Sequence, residues 1–65
     1  MDTINEKVGA WLLEGHTRAE LAGRIGISRQ TLDTRLSGAS RWLWREVIEL
    51  AQVLGVTLNA LAGIE

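Results

Sequence analysis

Residues 28–37 read S-R-Q-T-L-D-T-R-L-S. On a helical wheel, at about 100° per residue, Leu32 and Leu36 define one side. Gln30, Asp33, Thr34 and Ser37 lie on the other, with Arg29 in the exposed first turn and Arg35 on a flank. The outer face is thus built of hydrogen-bonding and cationic groups and carries almost no apolar surface. Readout of base edges in a DNA major groove needs such a face. Arg pairs bidentately with guanine and Gln with adenine, and Thr can donate, accept or touch a thymine methyl. A merely solvated helix face would carry similar groups, so the segments around this one must decide.

Those segments predict a scaffold of short helices. Thr17 and Glu20 match a capping box, so a helix is predicted over about 18–25, with Leu21, Ala22 and Ile25 inward and a stop at Gly26. Ser28 is a good N-cap for the next helix, about 29–37, which stops at Gly38. Two short helices joined by a tight turn containing Gly form a helix-turn-helix. Ala22 is small where the two would approach, Gly26 tolerates a positive φ, and Ile27 can plug the core. A first helix over about 4–14 follows from Ile4, Val8, Trp11 and Leu12 at helical spacing, with Thr3 and Glu6 as its capping box and Gly15 as its stop. A fourth, about 43–54, buries Val47, Leu50, Ala51 and Leu54 and ends at Gly55; Thr57 then caps a short fifth helix holding Leu58, Leu61 and Ile64. No alternating segment suggests a strand, and no repeat, linker or low-complexity tract is expected. The predicted fold class is all-α, a compact bundle of four to five short helices forming one domain over residues 1–65.

Composition narrows the function classes. With 65 residues, 46% of them apolar, no cysteine and one histidine, the chain must rely on a small apolar core rather than disulfides or a structural zinc. It has no Ser/His/Asp or Cys/His set and no phosphate-cradling glycine loop, and Glu46 and Glu49 do not make a catalytic pair. The expectation is no enzyme, no cofactor and no metal. No apolar run approaches the roughly 18 residues that span a bilayer, and the first residues do not resemble a signal peptide. The expected location is the cytoplasm, in association with the nucleoid, with no membrane partner. Net charge is −1, which argues against a polyanionic partner until its distribution is seen. Residues 1–15 carry −2, residues 16–45 carry +4 from six Arg against two acids, and residues 46–65 carry −3. The positive charge therefore gathers on the middle segment, and such clustering matters more than the total for steering a polyanion.

The stretch T-R-A-E-L-A-G-R-I-G-I-S-R-Q-T-L resembles the helix-turn-helix of the phage repressor and Cro family. The match runs through Thr17, Leu21, Ala22, Ile25, Gly26, Ile27, Ser28 and Leu32. The later A-Q-V-L-G-V-T-L-N-A-L-A-G resembles that family's fourth and fifth helices. The resemblance covers about residues 4–64 and implies a lambda repressor-like DNA-binding domain that regulates transcription by occupying a double-stranded operator. It implies that Arg29, Gln30 and Thr34 read bases and that Ser28 touches backbone or base; Asp33, on the same face, should repel phosphate and either accepts from a cytosine N4 or only reduces non-specific affinity. It likewise implies that Arg18 holds a phosphate and that the loop with Ala39, Ser40 and Arg41 lies along the phosphates; Thr17 and Arg35, with Arg24 and Arg45, are further candidates for phosphate contact. Such proteins usually act as dimers; here Leu58, Leu61 and Ile64 are the expected contact. The chain resembles a Cro-like protein more than a repressor with a second domain, with a fragment of a longer protein as the equal alternative. Two departures stand out. Arg35 occupies a position that is apolar in many members, and Leu43 occupies one where a capping Thr is common.

Other residues have plainer readings. Trp11 is expected in the core. Trp42 and Trp44 cannot both face inward at i, i+2, so one should pack inside and the other cover a neighbour or an interface. A stacking platform for single-stranded bases is the less favoured use of that segment. His16 is expected to be a solvated loop residue, and Gly23 an exposed helix position. The competing function is a helix-turn-helix-fold module that binds protein and not DNA, which the acidic chain ends favour.

Overall fold

A computed structural model describes the backbone of residues 3–62 and the side chains of residues 3–61. Five helices follow one another: α1 (Thr3–Leu13), α2 (Arg18–Ile25), α3 (Arg29–Ser37), α4 (Trp44–Leu54) and α5 (Leu58–Ala62). No strand occurs among the described residues. The radius of gyration is 10.7 Å. α2 packs on both α3 and α4, while α1 closes against α4 and α5. Among the described residues no helix is long and apolar enough to cross a membrane.

The predicted stops and caps mostly fall where side-chain chemistry requires. Thr17 Oγ1 accepts from the Glu20 amide at 3.1 Å, and Ser28 Oγ accepts from the Thr31 amide at 3.0 Å. Each satisfies one of the donors that a helix start leaves unpaired. The Thr17 box is only half closed, because the Glu20 carboxylate turns to His16 and Arg24 instead. α1 begins at Thr3 itself, so its cap lies outside the described residues. α4 begins at Trp44, with Leu43 as the capping residue. Leucine has no acceptor to offer, and the Glu46 carboxylate instead reaches back to the Leu43 amide at 3.0 Å.

The core is Val8, Trp11, Leu21, Ala22, Ile25, Leu32, Leu50, Ala51 and Leu61, with Ile4, Leu12, Ile27, Leu36, Val47, Leu54 and Leu58 packed against it. Trp42 is the inward member of its pair and packs on this core, whereas Trp44 is 65% exposed. His16 is not simply solvated. Its ring stacks on Trp11 with centroids 3.8 Å apart, and Nδ1 lies 3.2 Å from the Glu20 carboxylate.

A repeat is present, contrary to expectation. L-A-x-x-h-G-h-[ST]-x-x-x-L, with h apolar, runs from Leu21 to Leu32 and again from Leu50 to Leu61. The two copies share their local structure. Gly26 (φ 78°) and Gly55 (φ 71°) each end a helix in the left-handed conformation. Ile27 and Val56 donate back to Ala22 and Ala51 at 3.0 and 3.1 Å, the Schellman closure. Ser28 and Thr57 then cap the following helix by accepting from Thr31 and Ala60 at 3.0 and 3.1 Å. Leu21 pairs with Leu50, Ala22 with Ala51 and Leu32 with Leu61, and all six are buried.

Two of the three residues expected to form a dimer contact are engaged within the chain. Leu61 is 2% exposed and Leu58 packs against the core. Ile64, the third residue of that set, lies outside the described residues.

Candidate nucleic-acid interface

The two copies differ in what they carry outside. Arg18, Arg24 and Arg29 of the first correspond to Val47, Val53 and Leu58 of the second. In the second copy these positions are half-buried and pack against the core, whereas in the first they are exposed and cationic. The first copy alone presents these positions to solvent, and there it carries arginine at all three.

Among the expected base-reading residues, Arg29 and Gln30 open α3. Both are exposed and have no side-chain partner among the described residues. Their groups are available to an external ligand at no cost in internal bonds. Ser28 is committed to the α3 cap and also donates to Thr31 Oγ1 at 2.9 Å. Thr34 is half-buried, and its hydroxyl donates to the Thr31 carbonyl at 2.8 Å. Asp33 accepts from Arg18 Nη1 at 3.0 Å, joining α3 to the start of α2.

Among the expected phosphate-contacting residues, Arg41 is exposed and unpaired among the described residues. Thr17 is the α2 cap. Arg35 is engaged internally. Its Nε and Nη2 donate to the two Glu46 carboxylate oxygens at 2.8 and 3.2 Å, and Nη1 donates to Ser40 Oγ at 2.6 Å. Only 16% of the Arg35 side chain and 2% of that of Glu46 is exposed. A planar guanidinium matched to a carboxylate in this bidentate fashion is a strong, geometrically specific pair. Three of the five guanidinium donors are committed inside the protein, so Arg35 serves an internal role and has at most two N–H groups left for a phosphate.

The network extends from this pair. Ser40 Oγ donates to Thr34 Oγ1 at 3.2 Å, and the Ser40 amide donates to the Thr34 carbonyl, also at 3.2 Å. Donors thus run from Arg35 to Ser40 to Thr34 to the Thr31 carbonyl, and the segment carrying Arg41 is pinned to α3. Glu46 anchors the set. Its carboxyl is held below the usual carboxylate range, chiefly by the Arg35 hydrogen bonds and further by the Leu43 amide, against the opposing effect of burial. The same pairing raises Arg35.

Glu46 is the residue that sequence reasoning missed. Its signal was a Glu three positions after a poor cap, the second half of a capping box whose first half is leucine. Asn5 was missed as well: Nδ2 donates to the Leu36 carbonyl at 2.9 Å and ties α1 to the far end of α3. Between these helices lies an open cleft of about 290 Å³, floored by Val8, Leu12 and Leu36 and edged by Arg18 and Asp33. Among the described residues no group of His, Cys, Asp and Glu is arranged to hold a metal.

No protein-family model, curated protein or solved structure matches this chain.

Proposed function

We propose that α2 and α3 form a helix-turn-helix and that the protein is a sequence-specific double-stranded DNA-binding regulator. One observation carries the reading. Arg18, Arg24 and Arg29 are exposed on α2 and α3, and at the α3 start Arg29 and Gln30 are exposed and unpaired among the described residues. Arg29 and Gln30 read base edges in the major groove. Arg18 and Arg41 contact phosphates and set the docking register. Ser40, Thr34, Arg35 and Glu46 hold the segment of Arg41 against α3. Regulation follows from occupying a promoter.

Selection from a randomised duplex pool tests this. Enrichment of a defined site by the wild-type chain, lost in a chain carrying Arg29→Ala and Gln30→Ala, supports the reading. Enrichment of a palindrome with half-sites about 34 Å apart indicates a dimer, and a single half-site indicates a monomer.

A second reading has its own observation. Leu43 and Trp44 are 52% and 65% exposed, side by side at the start of α4. Exposed apolar pairs of this kind suit a protein partner. On that reading Leu43→Ser and Trp44→Ser abolish function, and changes at Arg29 and Gln30 leave it intact.

A further inference from the structure

We infer that Asp33 is a specificity-determining residue: paired with Arg18, it withholds a phosphate contact from non-cognate DNA and yields it where a cytosine amino group replaces the arginine as its partner. The inference rests on the DNA-binding reading and adds to it a mechanism of discrimination.

The pair bridges the two helices of the proposed reading unit. Arg18 Nη1 lies 3.0 Å from Asp33 Oδ1, and about half of the Arg18 side chain and 42% of that of Asp33 remain exposed. Both groups can therefore exchange partners at the surface. Half-exposed ion pairs add little stability, so the residues can be changed without unfolding the domain.

Consider what an approaching duplex meets. A phosphate that captures Arg18 strips Asp33 of its counter-charge and leaves a carboxylate facing a polyanion. The alternative is that Arg18 stays with Asp33 and the phosphate goes unneutralised. Either way, non-cognate DNA binds more weakly than the arginine count implies. A cytosine N4 amino group in the major groove can donate to a carboxylate. Where the sequence supplies that donor to Asp33, Arg18 is released to the phosphate. One acidic residue among cations thus ties a sequence-independent contact to the identity of one base pair.

The experiment measures affinity for the selected site, for that site with the inferred cytosine pair replaced, and for a random duplex, each over a range of salt. The chains are wild type, Asp33→Asn, Arg18→Gln and the double variant. Asp33→Asn is expected to bind the random duplex roughly tenfold more tightly and to steepen its salt slope by about 0.9, the value for one added phosphate contact. Its preference at the inferred base pair should fall about tenfold, within the range for one mismatched pair. In the Arg18→Gln background the same change should leave the salt slope unaltered. Two results overturn the inference while leaving DNA binding intact. One is that Asp33→Asn leaves the random-duplex affinity and the base preference of a binding wild-type chain unchanged. The other is that it steepens the slope equally without Arg18. Absence of binding by every chain at low salt overturns both the inference and the DNA-binding reading.

Discussion

At the scale of single residues, α3 divides into side chains already occupied and side chains left open. Ser28, Thr34 and Arg35 spend their polar groups inside the protein, whereas Arg29 and Gln30 do not. Replacing Arg29 by Ala should therefore cost about 1–3 kcal/mol of discrimination at one base pair with an unchanged Tm, which binding titrations paired with thermal melts will read. Glu46 should behave in the opposite way. Glu46→Gln leaves Arg35 without its carboxylate and should lower Tm by on the order of 10 °C. It should also alter pH dependence. Because the Glu46 carboxyl is held below its ordinary value, its contribution is fully present above the unfolded pKa of about 4.3. That contribution fades as pH falls through the lower folded value. Melting curves from pH 6 down to pH 3 should show wild-type stability declining more steeply than that of Glu46→Gln.

At the scale of elements, the glycines separate by backbone conformation. Gly26 and Gly55 both stand at positive φ, and an added Cβ meets nothing within 4 Å at either. The cost of Ala there is purely conformational, about 1 kcal/mol at each position, and should be equal in the two copies. Gly9 and Gly23 sit inside helices at ordinary φ with equally open surroundings. Ala at either should stabilise by about 0.5–1 kcal/mol. Urea titrations of the four variants will show whether these signs hold. Helix positions were legible in the chain because caps, glycine stops and apolar spacing are local signals, and α2 and α3 end where those signals place them. The start of α4 was less legible because its cap uses Glu46 in place of a side chain at Leu43. The Arg35–Glu46 pair was not legible at all. Its partners are 11 residues apart on different helices, and a helical wheel does not report what the next helix presents. The same limit applies to Arg18 and Asp33, which a wheel treats as independent.

At the scale of the whole molecule, net charge and the proposed function point in different directions until charge is resolved along the chain. The total is −1, yet every arginine lies between residues 18 and 45. Three of the six are paired with acids: Arg18 with Asp33, Arg24 with Glu20 and Arg35 with Glu46. The effective positive surface is therefore smaller than the count suggests. DNA binding should show a shallow salt dependence, with log affinity falling by about 0.9 per phosphate neutralised and only a few phosphates per chain. The two-copy architecture gives the same economy to the core. Leu21 and Leu50 hold equivalent buried positions, so Leu21→Ala and Leu50→Ala should each cost about 2–5 kcal/mol, enough to unfold most of a domain this small. The measurement that tests the central claim most directly is selection of the wild-type chain against a randomised duplex pool at low salt. The account predicts enrichment of one defined double-stranded site, abolished by changing Arg29 and Gln30 to Ala in a chain that still melts normally. A pool that emerges unenriched, with the chain folded, would contradict it.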